Sequence, residues 1–381
     1  MATAVVKFVL CCVVTMHSLS DTITQSGDWQ SAEEKSGLPR SFRWGGQRPD
    51  LLRYNRVEGL SVGIRAQGRP GSPLGPISVT GTASLGLANL KPNLRLNFAR
   101  ETLEDEITFS GFHELTTIGE RDGHLKLGNS ITALVAGRDD GDYYQRSGVS
   151  LEWARSSVQQ NSFRIRLFGE HHSPAEIESD FTIWGLINEN SEWRPNIRVD
   201  VGWYLGSSIE FASKWGSDPR FFQGQMFASF ESGVGTTEYV RAGLQGSLDI
   251  PIVRDTRISL EAGVGTSVGR LPIQRGWYLG GPSTLRGFPP RVLGGSRFAR
   301  VRAAVIRSFS FGDISFFSDG AWVPYHHLFE GEADDYGTLF SVGSGLSVLD
   351  QLIHLDASWN VEAFRLSSVR FDAYLDFGLP F

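Results

Sequence analysis

Arg286 is a lone cation in a stretch otherwise made of glycine, proline and apolar residues: Trp277-Tyr278-Leu279-Gly280-Gly281-Pro282-Ser283-Thr284-Leu285-Arg286-Gly287-Phe288-Pro289-Pro290. Glycines and prolines on this spacing cannot sustain a strand ladder, and they dictate a tight, specific backbone path. The apolar residues need something to pack on, so the stretch is expected to fold inward and to set Arg286 against a buried acid. Asp319 is the candidate, because a guanidinium and a carboxylate can meet in a bidentate fork. Of the eight histidines, His171-His172 and His326-His327 are adjacent pairs that could ligate a metal or act as bases. Neither pair has a third ligand at useful spacing or a nucleophile motif, and His113, His124 and His354 stand alone. No metal, cofactor or enzymatic activity is expected.

These residues must be positioned by strands. Leu60, Val62 and Ile64 alternate with Ser61, Gly63 and Arg65; Leu94, Leu96 and Phe98 alternate with Asn93, Arg95 and Asn97. The pattern continues through Ile258, Leu260, Ala262 and Val264, and through Ile353, Leu355, Ala357, Trp359 and Val361. Period two in so many segments means strands with one apolar and one polar face. Sixteen are expected, from 58–67 to 367–380, with 256–269, 298–310 and 313–322 as the eleventh to thirteenth. The fifth, 124–136, reads equally as a short helix in a loop. Segments of about a dozen residues suit a tilted membrane crossing. Short connections near 89–91, 158–160, 251–255, 311–312 and 349–350 contrast with long ones at 173–198, 270–297 and 323–335. That asymmetry is the sidedness of an outer-membrane barrel, against the regular short strands of a soluble sandwich. The expected fold is all-β, a transmembrane antiparallel β-barrel of about 16 strands. So wide a lumen needs an occupant, and the 270–297 loop is the candidate. Within 313–322 the odd residues Ser315, Phe317, Asp319 and Ala321 share a face, which turns Asp319 to the lumen.

Composition removes other classes. The 381 residues carry a formal net charge of −6, so no basic surface points to nucleic acid. After the N-terminus no apolar run reaches the ~20 residues of a transmembrane helix. Residues 1–20 read as a signal peptide, with Lys7 before the apolar Phe8–Val14 and small residues Ser18 and Ser20 before Asp21. The two cysteines, Cys11 and Cys12, fall inside it, leaving a mature chain without thiols. Residues 21–56 read as a periplasmic linker and 57–381 as the barrel.

On three stretches the chain resembles the bacterial surface antigen family, the barrel part of the outer-membrane assembly-factor superfamily that includes BamA-like and two-partner-secretion transporter barrels. Gly280-Gly281-Pro282 through Leu285-Arg286-Gly287-Phe288 is similar to the family's [V/L]RG[F/Y] loop between strands eleven and twelve. Phe316 to Trp322 is similar to its F-x-D-x-G strand, with Ala321 in place of the glycine. The end, Phe377-Gly378-Leu379-Pro380-Phe381, is similar to its aromatic-terminated last strand. The glutamate often found in strand twelve is Val305 or Ile306 here, which implies fewer acid partners for Arg286.

The resemblance implies a lumen loop motif of Gly280, Gly281, Leu285, Arg286, Gly287 and Phe288 anchored by Asp319. It also implies a C-terminal assembly signal in Phe377 and Phe381. The expected setting is the outer membrane of a Gram-negative-type bacterium. The expected partners are its lipid, the assembly machinery that inserts the barrel, and a separate periplasmic protein. The last follows because residues 21–50 leave no room for a POTRA domain. The expected function is insertion or translocation of proteins or other envelope components. The alternative is a passive or plugged channel, or a structural barrel.

Overall fold

The structure is a computed structural model that describes residues 40–44, 51–70, 77–119, 125, 127–156, 161–188, 192–218, 220–324, 337–349, 351–362 and 365–375. The expected signal peptide, most of the 323–335 loop, His124, His326, His327, Phe377 and Phe381 lie outside these residues.

The wall begins with β1 (Arg40–Trp44), β2 (Leu52–Asn55), β3 (Gly59–Gly68), β4 (Ile77–Gly86), β5 (Pro92–Glu101) and β6 (Asp105–Thr117). A helix, α1 (Leu127–Ala136), precedes β7 (Tyr143–Ser156), β8 (Asn161–Pro174), β9 (Gly202–Trp215), β10 (Gln223–Gly235), β11 (Tyr239–Val253) and β12 (Thr256–Gly269). Two short strands, β13 (Trp277–Leu279) and β14 (Leu293–Gly295), come before β15 (Arg297–Phe309) and β16 (Gly312–Trp322). The wall ends with β17 (Thr338–Val348), β18 (Ile353–Glu362) and β19 (Arg365–Leu375).

Each long strand pairs antiparallel with the next, and β12 pairs with β15 because β13 and β14 form their own two-stranded sheet. β1 and β2 both pair with β3, along Ile64–Gly68 and Gly59–Val62 respectively, so they share one place. The seventeen strands of the main sheet therefore fill sixteen places.

The faces are inverted relative to a soluble sheet. On β3, Leu60, Val62 and Ile64 are 38–47% exposed while Ser61 between them is 1% exposed. Glu170, Asp319, Ser341 and Ser358 are likewise fully buried on inner faces, while Val264, Phe316 and Phe371 stand outside. An apolar exterior over a polar interior is stable only where the exterior meets lipid. The molecule is a transmembrane β-barrel.

The expected count of sixteen is right, but one of its members is not a wall strand and one place of the wall was not expected. Within the expected strand 124–136, residues 127–136 form α1 and not a wall strand. Ile131, Ala133 and Val135 satisfy a strand pattern. In the helix, the small residues Gly128, Ser130 and Ala133 are buried and allow close packing. The missing place is filled by β1 and β2, inside the span expected as a linker, so the wall starts before residue 57. The two errors cancel in number yet reverse the direction of every strand between them. Connection 87–91 consequently lies at the same end as 118–142, 175–201, 270–296 and 323–337, not with the short turns 254–255 and 310–311 as expected.

Candidate functional site: the inward-folded loop

The loop 270–296 starts at the long-loop end and turns back into the lumen. A single 3₁₀ turn, Ile273–Arg275, leads into the β13–β14 hairpin, in which Trp277, Tyr278 and Leu279 pair with Gly295, Gly294 and Leu293. Its tip is tied by backbone bonds from Gly281 N to Phe288 O and from Leu285 N to Gly281 O, both 3.0 Å. Thr284 Oγ1 accepts from Gly280 N and donates to Gly280 O. Leu279, Leu285, Phe288 and Leu293 pack with Phe298, Ala321, Val323 and Leu339 of the wall and its margin. This apolar cluster explains why a loop carries Leu285 and Phe288. Gly287 has φ +85°, and a Cβ there would meet Asn360 Oδ1 at 2.8 Å and Ser358 Cβ at 2.9 Å. Glycine is required by the backbone angle and by the approach to β18.

Arg286 and Asp319 meet on the lumen side of β16. Arg286 Nε donates to Asp319 Oδ2 at 2.8 Å, Nη2 to Oδ1 at 2.6 Å, and the Arg286 backbone N–H to Oδ2 at 3.0 Å. The guanidinium lies over the Phe317 ring, 3.6 Å from its centroid, and Ser341 Oγ donates to the Arg286 carbonyl at 2.6 Å. Planar stacking and a forked carboxylate are both specific to arginine. Asp319 also accepts from Arg302 Nε at 3.2 Å. Arg302 extends to Glu261 at 3.3 Å and to the carbonyls of Ser283 and Pro282.

A second clamp holds the base of the loop. Arg275 Nη2 donates to Glu170 Oε2 at 3.1 Å, and Arg275 Nε lies 3.4 Å from Glu231 Oε1. Burial alone would lower the Arg275 pKa, but Glu231, Tyr144, Tyr239 and Glu170 outweigh it and the net shift is upward. Glu231 also accepts from Tyr239 and Arg241 at 2.5 and 2.8 Å. Glu170 accepts from Arg166 and shares a 2.9 Å bond with His172 Nε2. A third arginine, Arg291, reaches Asp142 at 3.4 Å, where Arg56 and Arg194 also converge.

Sixteen places, an inward loop between the eleventh and twelfth, and an inner-face acid on the thirteenth define a recognisable architecture. Among solved structures the chain is similar to BamA from Haemophilus ducreyi lacking POTRA domains 1–3. The TM-score is 0.55 at 15% identity, over 89% of this chain and 69% of that one. The fold is that of a BamA-type barrel. CdiB from Acinetobacter baumannii and from Escherichia coli align with TM-scores of 0.45 at 13% and 14% identity. These alignments cover 85% and 88% of this chain but only 58% and 61% of those proteins. No protein-family model and no curated protein matches the sequence.

In this BamA-type barrel Gly280, Gly281, Leu285, Arg286, Gly287, Phe288 and Asp319 come together as one unit. Among the described residues Arg286 forms its ion pair with Asp319, an acid that it shares with Arg302. Sequence reasoning missed Arg302, Glu261, Arg275, Glu170 and Glu231. Arginine or glutamate on the polar register of an alternating strand was the available signal for four of them. His172 is no free base: Gln274 lies 3.0 Å from its Nδ1 and Glu170 2.9 Å from its Nε2.

Proposed function

We propose that this protein is an outer-membrane barrel that inserts or translocates proteins or other envelope components. The observation that carries this reading is the Arg286–Asp319 clamp, which fixes an inward loop from between places eleven and twelve onto place thirteen of a BamA-type wall. A loop held by a few charge-assisted bonds is rigid while they persist and releasable when they break. The first and last strands, the ends of the wall, offer the seam at which a client would pass. Outer-membrane lipid, the machinery that inserts the barrel itself and a periplasmic protein that delivers clients are the proposed partners. The barrel is read as non-catalytic.

The test is reconstitution into liposomes with an unfolded β-barrel client. Faster client folding than in empty liposomes, lost when loop and wall are cross-linked through Arg286→Cys and Asp319→Cys, is the expected outcome. No acceleration, together with steady conductance in planar bilayers, would favour the second reading, a passive channel. No acceleration and no conductance would favour a plugged structural barrel, which the clamps at both base and tip of the loop also suit.

A further inference from the structure

The seam carries a device that the proposed function does not require. On β2, Tyr54 stands opposite Leu60 of β3. The Leu60 carbonyl turns the other way and accepts from Leu87 N at 2.9 Å. Tyr54–Leu60 is therefore a non-hydrogen-bonded pair, and the Tyr54 N–H points away from β3, to the edge where a sixteen-place wall would close. That N–H donates to Ser130 Oγ of α1 at 3.0 Å. A helix side chain thus occupies the place of a strand carbonyl.

The other end of α1 reaches the last strand. Gly137, at φ +66°, ends the helix in the left-handed region, with its N–H on Ala133 O at 3.1 Å. The next residue, Arg138, donates through Nη1 to Asp372 Oδ1 of β19 at 2.5 Å. Asp372 is 4% exposed, and its other arginine, Arg370, lies on β19 itself, so of the two only Arg138 crosses the seam. From above, Ile183 N and Trp184 N of the 175–201 connection donate to the carbonyls of Leu134 and Val135. A ten-residue helix has little stability of its own, so α1 stays where these contacts hold it.

We propose that α1 is a strap across the seam, joining the long-loop end of β2 to the Asp372 region of β19, and that releasing it frees both strand edges. Ser130 and Arg138 are its two fastenings, and the 175–201 connection holds its C-terminal turn. The strap acts whatever crosses the barrel, so it stands apart from the question of client.

Spin labels at Leu60→Cys and Phe371→Cys, both on outer faces, report the width of the seam in the full chain in nanodiscs. Arg138→Gln should add a population lengthened by about 5 Å, one inter-strand spacing. Arg138→Lys, which keeps the charge, should retain the parent distance. Arg370→Gln removes the other Asp372 partner without touching the strap and should also leave the distance unchanged. Heat-modifiable migration confirms that each variant is a folded barrel. An unaltered distance in folded Arg138→Gln, or equal lengthening in Arg370→Gln, would overturn the proposal.

Discussion

Asp319 serves two arginines, and this makes its replacement unequal to that of either partner. In Arg286→Ala the carboxylate keeps Arg302, whereas Asp319→Ala leaves two guanidiniums facing each other around an empty place. Removing one member of a buried pair costs about 3–5 kcal/mol. Arg286→Ala should fall at the low end and Asp319→Ala at the high end, read from unfolding in detergent. The double variant should lie near Asp319→Ala alone, and equal single losses that add would show that the residues act independently. Gly287→Ala should cost about 1–3 kcal/mol, because its φ is positive and its neighbours are backbone-anchored. Ser283→Ala, at the exposed face of the same tip, should change stability by less than about 0.5 kcal/mol; matching losses at the two sites would remove the backbone argument. Arg286 and Asp319 were legible in the sequence because one stood alone in an apolar loop and the other kept to a strand's polar register. Arg302 was not, since a strand of alternating arginines does not say which of them meets the loop.

At the scale of elements, besides the Arg291–Asp142 pair, the 270–296 loop is held by two clamps, Arg275 at the base and Arg286 at the tip. These clamps use different walls, Glu170 of β8 and Glu231 of β10 for one and Asp319 of β16 for the other. Arg275→Ala should raise hydrogen exchange across 271–279 while leaving 281–288 protected, and uniform exposure of the loop would mean that it is one cooperative unit. Long, regularly alternating strands were readable because their period has no competitor. The first place of the wall was not, because its two strands are only five and four residues long, too short to show a period. α1 was ambiguous for the opposite reason: its apolar residues fit both periods, and its position against β2 and β19 comes from contacts distant in sequence.

For the whole molecule, strand direction is the testable quantity. Leu90 in turn 87–91 and Arg254 in turn 254–255 are both well exposed, and the fold puts them at opposite ends. In whole cells a membrane-impermeant maleimide should label Leu90→Cys and should reach Arg254→Cys only after the outer membrane is opened. Labelling of Arg254→Cys alone would mean that the wall runs the other way, and labelling of both would mean that the two turns are not at opposite ends. The loop's anchorage has a mechanical consequence. Its two clamps make it a spoke across the barrel, bearing on β8 and β10 on one side and on β16 and its neighbours on the other. Lateral pressure from the bilayer is then resisted along that chord and much less across the arc from β19 through β2 to β5, on which neither clamp is anchored. A hoop stiffened on one diameter ovalises along the other, so the shape of the surrounding membrane acts first on the arc that contains the seam.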